Sequence, residues 1–222
     1  MDWLIGIGRS KLGTSSSSST RTIRSNEENQ KPYMNDTDNL KNLVNKVTKD
    51  NIQESVPAPM GVDINEWLAT NTLSFYSHIS LLYDSLNEFC SPNTCTTVST
   101  GTPMNYTWVD DRGKKVRLSA PQYIELVIVQ IEKYVTDETV FPTKYDMIFP
   151  TNFLSVVKRI FRMLFHILVH MFQSHYEHLT DLQLLSVLNT VFIHFMYFQT
   201  EHNLLESKEV HPLEDLIKSL CL

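Results

Sequence analysis

The 222-residue chain predicts an all-α fold, a helical bundle carrying one small β-hairpin. Three observations lead there. Apolar residues recur at helical spacing in several separate stretches. One of these, residues 152–176, is apolar nearly all round, as a helix in the middle of a bundle is. Strand-like alternation centres on Asp111-Arg112-Gly113, within residues 106–118, where Gly113 supplies the positive φ of a hairpin turn. No internal repeat is present.

Residues 1–60 predict a mostly disordered tail, and residues 61–222 the folded body. The tail is low in apolar content and includes a serine run at 15–19, so it buries too little to offset its ordering entropy. Trp3, Leu4 and Ile5 form an apolar tip on it, read either as a docking element or as a frayed end. Order is expected from near Val62. Asp63 and Glu66 make a D-x-x-E capping pattern, with Val62 and Trp67 placed as a hydrophobic staple. Leu73, Tyr76, Ile79, Leu82, Tyr83, Leu86 and Phe89 then predict a long helix stopping before Pro92.

After the hairpin, Ser119-Ala120-Pro121 opens a helix, proline suiting the first turn. Its core face is Ile124, Val127, Ile128, Ile131 and Val135. Residues 136–150 predict a loop. The apolar helix over 152–176 follows, then another over 181–198 bearing Leu188, Phe192 and Phe195. A short amphipathic helix near 212–220 closes the bundle.

The net charge is −6. An acidic chain is a poor general nucleic-acid binder, because phosphate neutralisation needs Lys and Arg. Residues 1–60 carry eight basic and seven acidic side chains, which leaves the remainder at −7. The body should therefore prefer a basic partner surface. No secretory signal is expected at the start, and the run 160–172 is too short and too polar to span a bilayer. With three cysteines and no such signal, a reducing compartment is expected, the cytoplasm with the nucleus as a further location. Cys221 is left over as a plain thiol.

Cys90 and Cys95 form C-x4-C, and His170 and His175 form H-x4-H. Two thiolates and two imidazoles are the ligand set of a closed tetrahedral zinc site, which leaves no open position for substrate. That set points to a metal-stapled binding protein. The spacing leaves alternatives open. On an ideal helix His170 and His175 point about 140° apart, so the helix must bend or end if both are ligands. His166 and His170 share a face better. A reduced cysteine pair with ordinary helical histidines is the plainer reading.

Other chemistry is missing from the sequence. It has no Gly-rich phosphate loop, no G-x-S-x-G elbow, no H-E-x-x-H motif and no Glu-x-x-His pair. Glu88 beside Cys90 reads as a surface residue rather than a general base. The expectation is a non-enzyme.

Seven segments carry a resemblance. They are DINEWLATNT at 63–72, NEFC at 87–90 with Cys95, SAPQYIE at 119–125, DETVFPTK at 137–144, LFHILVHMFQSHY at 164–176, LNTVFIHF at 188–195 and NLLESKE at 203–209. Together they resemble the Mob family of kinase activators, and MDWL and DRGKKVR resemble its Mob-two-type subgroup. The resemblance implies a Mob-type four-helix core with a structural zinc ion. It places the ligands on Cys90, Cys95, His170 and His175. It also implies a non-catalytic subunit that binds the basic N-terminal regulatory region of an NDR/LATS-type serine/threonine kinase. The alternative is a zinc-stapled helical adaptor for another basic peptide.

Two departures from the Mob-one pattern stand out. The basic trio that grips phosphopeptides in Mob-one proteins reads Arg162, Met163 and His166 here, so one permanent cation remains. The acidic kinase-facing positions fall on Val62, Glu66 and Ser74, and Glu66 alone keeps its charge. The resemblance also places His194 at the partner interface, a buried and satisfied histidine being the other reading, and Trp67 reads either as a partner contact or as a core staple.

Overall fold

The computed structural model of the protein describes residues 49–95, 107–109, 112–144 and 147–220. Among these, helices α1 (Lys49–Ser55) and α2 (Ile64–Asp84) precede the strands β1 (Thr107–Val109) and β2 (Lys115–Arg117). Helices α3 (Ala120–Val135), α4 (Phe153–Ser174), α5 (Tyr176–Asp181) and α6 (Leu185–Glu201) follow. Short α7 (Ser207–Val210), a 3-10 turn (His211–Leu213) and α8 (Glu214–Ser219) close the described chain.

α4 is the central helix, as its all-round apolar pattern predicts. Thirteen of its side chains are buried, including Phe161, Phe165 and Phe172. It packs against α2 and α3, and α2 packs in turn against α6. Aromatic rings join α4 to α6. Phe161 stacks on Phe195 at 4.9 Å between centroids, and Phe75 of α2 meets Phe161, Phe195 and Phe198 edge-on at 5.4–5.7 Å. Offset and edge-on ring pairs of this kind add roughly 0.5–1.5 kcal/mol each beyond their buried area.

The helix starts follow local chemistry. Asp63 accepts from the backbone N–H of Asn65 at 2.8 Å and of Glu66 at 3.3 Å, capping α2. The other half of the capping box does not close, and Glu66 stays exposed. Nor is Val62 the staple, being 44% exposed. Trp67 instead donates from Nε1 to the Val56 carbonyl at 3.0 Å. At α3, Gln122 Oε1 accepts from both the backbone N–H and the hydroxyl of Ser119. The hairpin pairs Trp108 with Val116, and Gly113 has φ 76°. Asp111 and Tyr106 lie outside the described residues.

Four boundaries differ from the sequence expectation. The described structure starts before Val62, because α1 docks on α6 and Val56 is 2% exposed. Ile52 and Val56, at i and i+4, give this polar segment a narrow apolar stripe. α2 stops at Asp84 and hands over to turns that carry Phe89 and Cys90. The expected single helix over 152–176 breaks at His175. α6 begins later than expected, after Gln183 turns the chain with φ 58°. No helix among the described residues is long and apolar enough to cross a membrane.

Candidate metal centre

The turns after α2 hold the cysteines. Cys90 N–H bonds to the Leu86 carbonyl, and Cys95 N–H to the Ser91 carbonyl. Thr94 fastens the loop, its hydroxyl bonding the Phe89 carbonyl at 2.8 Å and receiving the Ser91 N–H at 2.9 Å. The Cys95 carbonyl then accepts from Ala120 N–H, tying this loop to the start of α3.

The histidines come from α4 and from its break. His170 lies on the last full turn of α4. His175 has φ −130° and ψ 16°, so it leaves the helical path and starts α5. That kink swings its ring back beside His170. Cys90 Sγ is 3.3 Å from His170 Nε2, Cys95 Sγ is 3.3 Å from His175 Nε2, and the two Nε2 atoms are 3.2 Å apart. All four ligand atoms lie within 4.8 Å of one another, and all four residues are buried.

This constellation fits a metal ion. Zinc bonds of about 2.3 Å to sulfur and 2.0 Å to nitrogen set the corners of a tetrahedron roughly 3.3–3.8 Å apart. Four polar atoms converging on one buried point are satisfied together by a central cation. The Cys95 thiol is held well below its ordinary range, first by its hydrogen bond with Cys90 and then by bonds with His170 and His175. The same contact with Cys95 pushes Cys90 up. At least one sulfur is thus a ready thiolate ligand. Burial lowers the His170 pKa, which keeps its imidazole neutral and its lone pair free for a metal.

The surrounding partners were not legible in the sequence. Tyr83 Oη lies 3.3 Å from Cys90 Sγ, and the His178 ring stands on Phe89 at 4.5 Å and beside His175 at 5.3 Å. Tyr83 sits on the buried stripe of α2, which marks packing and gives no hint of a sulfur partner. Cys221 lies outside the described residues.

The Arg162, Met163 and His166 cluster is occupied from within. Arg162 Nε is ion-paired with Glu209 of α7. Met163 is buried. His166 Nδ1 is 2.6 Å from Tyr123 Oη. Burial brings His166 down to about 4 and pushes Tyr123 up to about 12. The phenol therefore donates to Nδ1, and the histidine proton sits on Nε2. No sequence signal links Glu209 to Arg162, 47 residues away.

The three residues expected at a partner interface have different settings. Glu66 is exposed in the first turn of α2. Trp67 is half-buried and turned inward to Val56. His194 is half-buried with its ring 4.8 Å from Phe75, and burial lowers its pKa. Ser74 is exposed, with its hydroxyl 3.4 Å from His78 Nδ1.

Comparison with known proteins agrees with this architecture. The sequence profile described as the Mob1/phocein family matches residues 44–213. MOB kinase activator 2 of Mus musculus is 39% identical over 221 residues, covering 100% of this chain and 88% of that protein. The Homo sapiens MOB kinase activator 2 matches to the same extent. MOB kinase activator-like 1 homolog B of Dictyostelium discoideum is 42% identical over 172 residues, 77% of this chain and 80% of that protein. A bundle of this build, the buried Cys2His2 cluster at the end of its central helix and a profile match spanning most of the chain place it together with these proteins: the chain belongs to the Mob1/phocein family.

Proposed function

We propose that this chain is a non-catalytic regulatory subunit that binds the basic N-terminal regulatory region of an NDR/LATS-type serine/threonine kinase. The observation that carries the reading is the full-length likeness to proteins named MOB kinase activator 2. The charge balance supports it, since the body at −7 suits a basic segment. Glu66 is the exposed carboxylate at the expected interface, Trp67 follows it and anchors to Val56, and His194 of α6 meets α2 further along, at Phe75. Cys90, Cys95, His170 and His175 hold one zinc ion, which supplies a cross-link between the loop after α2 and the end of α4. The complex forms in the cytoplasm, with the nucleus as a further location.

Titration with a purified NDR-type regulatory segment tests this. Wild type binds, and affinity falls as salt rises. Glu66→Lys, checked for folding by circular dichroism, weakens binding roughly tenfold, because it sets a cation against cations. Unchanged affinity in the folded variant removes Glu66 from the interface. A wild type that binds no such segment sinks the kinase reading and leaves an adaptor for some other basic peptide.

A further inference from the structure

A groove of about 270 Å³ runs between α2 and α3; Cys90 of the metal centre is among the residues lining it, whereas Glu66, Arg162, Met163 and His166 are not. Its α2 wall carries Tyr83 and Asp84, and its α3 wall carries Glu125, Ile128 and Val129. The spacing makes these walls continuous. Tyr76, Tyr83 and Asp84 fall at i, i+7 and i+8 on α2, and Glu125, Ile128 and Glu132 at i, i+3 and i+7 on α3.

The floor is apolar and partly open, with Ile128 half-buried and Val129 41% exposed. The rim is acidic, and Asp84, Glu125 and Glu132 are all exposed. Among the described residues none of the three carboxylates is in an ion pair. Tyr76 is half-buried about two turns before Asp84 on α2, and burial and then the field of Glu132 push its phenol up. Three unneutralised carboxylates around an apolar strip have a specific complement. It is an apolar side chain flanked by cations, with an arginine able to stack on Tyr76 while bonding a carboxylate.

We propose that the α2–α3 groove is a docking surface of its own, for a basic partner segment that seats an apolar side chain on Ile128 and Val129 and cations against Asp84, Glu125 and Glu132. The docking does not depend on the kinase reading, which places its contacts on Glu66 and His194.

The test uses the full chain and a labelled Gly-Arg-Arg-Leu-Arg-Arg-Gly peptide, read by fluorescence anisotropy at low salt. Glu125→Gln with Glu132→Gln lowers affinity roughly tenfold. Asp181→Asn with Glu201→Gln removes the same charge from α5 and α6 and changes affinity less than about twofold. Replacing the peptide leucine by serine weakens binding several-fold. Glutamine at exposed glutamates leaves the fold intact, and a melting curve of each variant verifies it. Equal losses in the two double variants, equal binding of the two peptides, or no saturable binding by wild type overturns the proposal. Self-association abolished by the groove variant assigns the groove to a second copy and overturns it as well.

Discussion

The Nε2 atoms of His170 and His175 stand 3.2 Å apart, although an unbroken helix aims them roughly 140° away from each other. The non-helical backbone of His175 reconciles the two. The kink interrupts an apolar helix while His175 keeps its own backbone bonds, to the Met171 carbonyl and from the Leu179 N–H, so something other than local sequence must favour it. A metal ion held by both rings would do so, and the four buried ligand atoms are close enough together to hold one.

Purified protein should therefore contain about one zinc per chain by elemental analysis, and a strong chelator should lower the melting temperature. Binding energy at such a site is folding energy. His175→Ala or Cys95→Ala should lower the melting temperature by roughly 10 °C or more, whereas Cys221→Ser should leave it unchanged. Metal-free protein with the same melting curve would refute the structural role.

The Val56 carbonyl collects two donors, Trp67 Nε1 and His202 Nε2, each at 3.0 Å. This one oxygen ties the end of α1 to α2 and to the chain just after α6. Trp67→Phe keeps most of the ring and loses one bond. It should cost about 1–2 kcal/mol and a few degrees of melting temperature, with metal content unchanged. An unaltered denaturation midpoint would show that the bond contributes nothing.

Phosphopeptide binding should be weak. Calorimetric titration of wild type with a phosphothreonine peptide should show little heat at micromolar concentration. Arg162 is engaged by Glu209, Met163 is buried and His166 is neutral. Glu209→Gln should improve binding several-fold by freeing the guanidinium. Met163→Arg should instead destabilise the fold, because it buries a charge. Tight binding by wild type would contradict this account.

The Tyr123–His166 pair gives a pH signature. The His166 pKa falls from about 6.5 in the unfolded chain to about 4 in the folded one. Between those values the unfolded state binds more protons, so stability drops as pH falls from 6.5 toward 4 and the loss then levels off. The full effect is on the order of 3 kcal/mol. Urea titrations of wild type and His166→Asn, compared across that range, should converge as pH falls, and parallel curves would dismiss it. The difference between the two proteins cancels the protonation of the metal ligands.

The sequence reveals some of this and hides the rest for identifiable reasons. α3 shows a local capping box and a periodic apolar face, and α4 is apolar enough along its length to announce a buried helix. The start of α1 is hidden because Ile52 and Val56 are two apolar residues in a polar stretch, stabilised by a distant α6. The break at His175 has no glycine or proline to announce it. Spacing could say that the helix must bend or end, but not which. Among the candidate site residues, the burial of Met163 follows from the apolar pattern of α4. The Arg162–Glu209 and Tyr123–His166 pairs depend on how remote helices meet, which no local pattern encodes.

Cys90 and His170 are 80 residues apart in the chain. At about 5–20 residues per second, a ribosome releases the thiols several seconds before either imidazole. Throughout that interval α2 also lacks α4, the helix it packs on. The nascent chain thus carries an unfinished site and an undocked amphipathic helix together, and both are completed by the same late event. Slow elongation between Cys95 and His170 lengthens the time in which the thiols are open to oxidation. The yield of native protein should consequently depend on translation speed through that stretch more than on the codons after it.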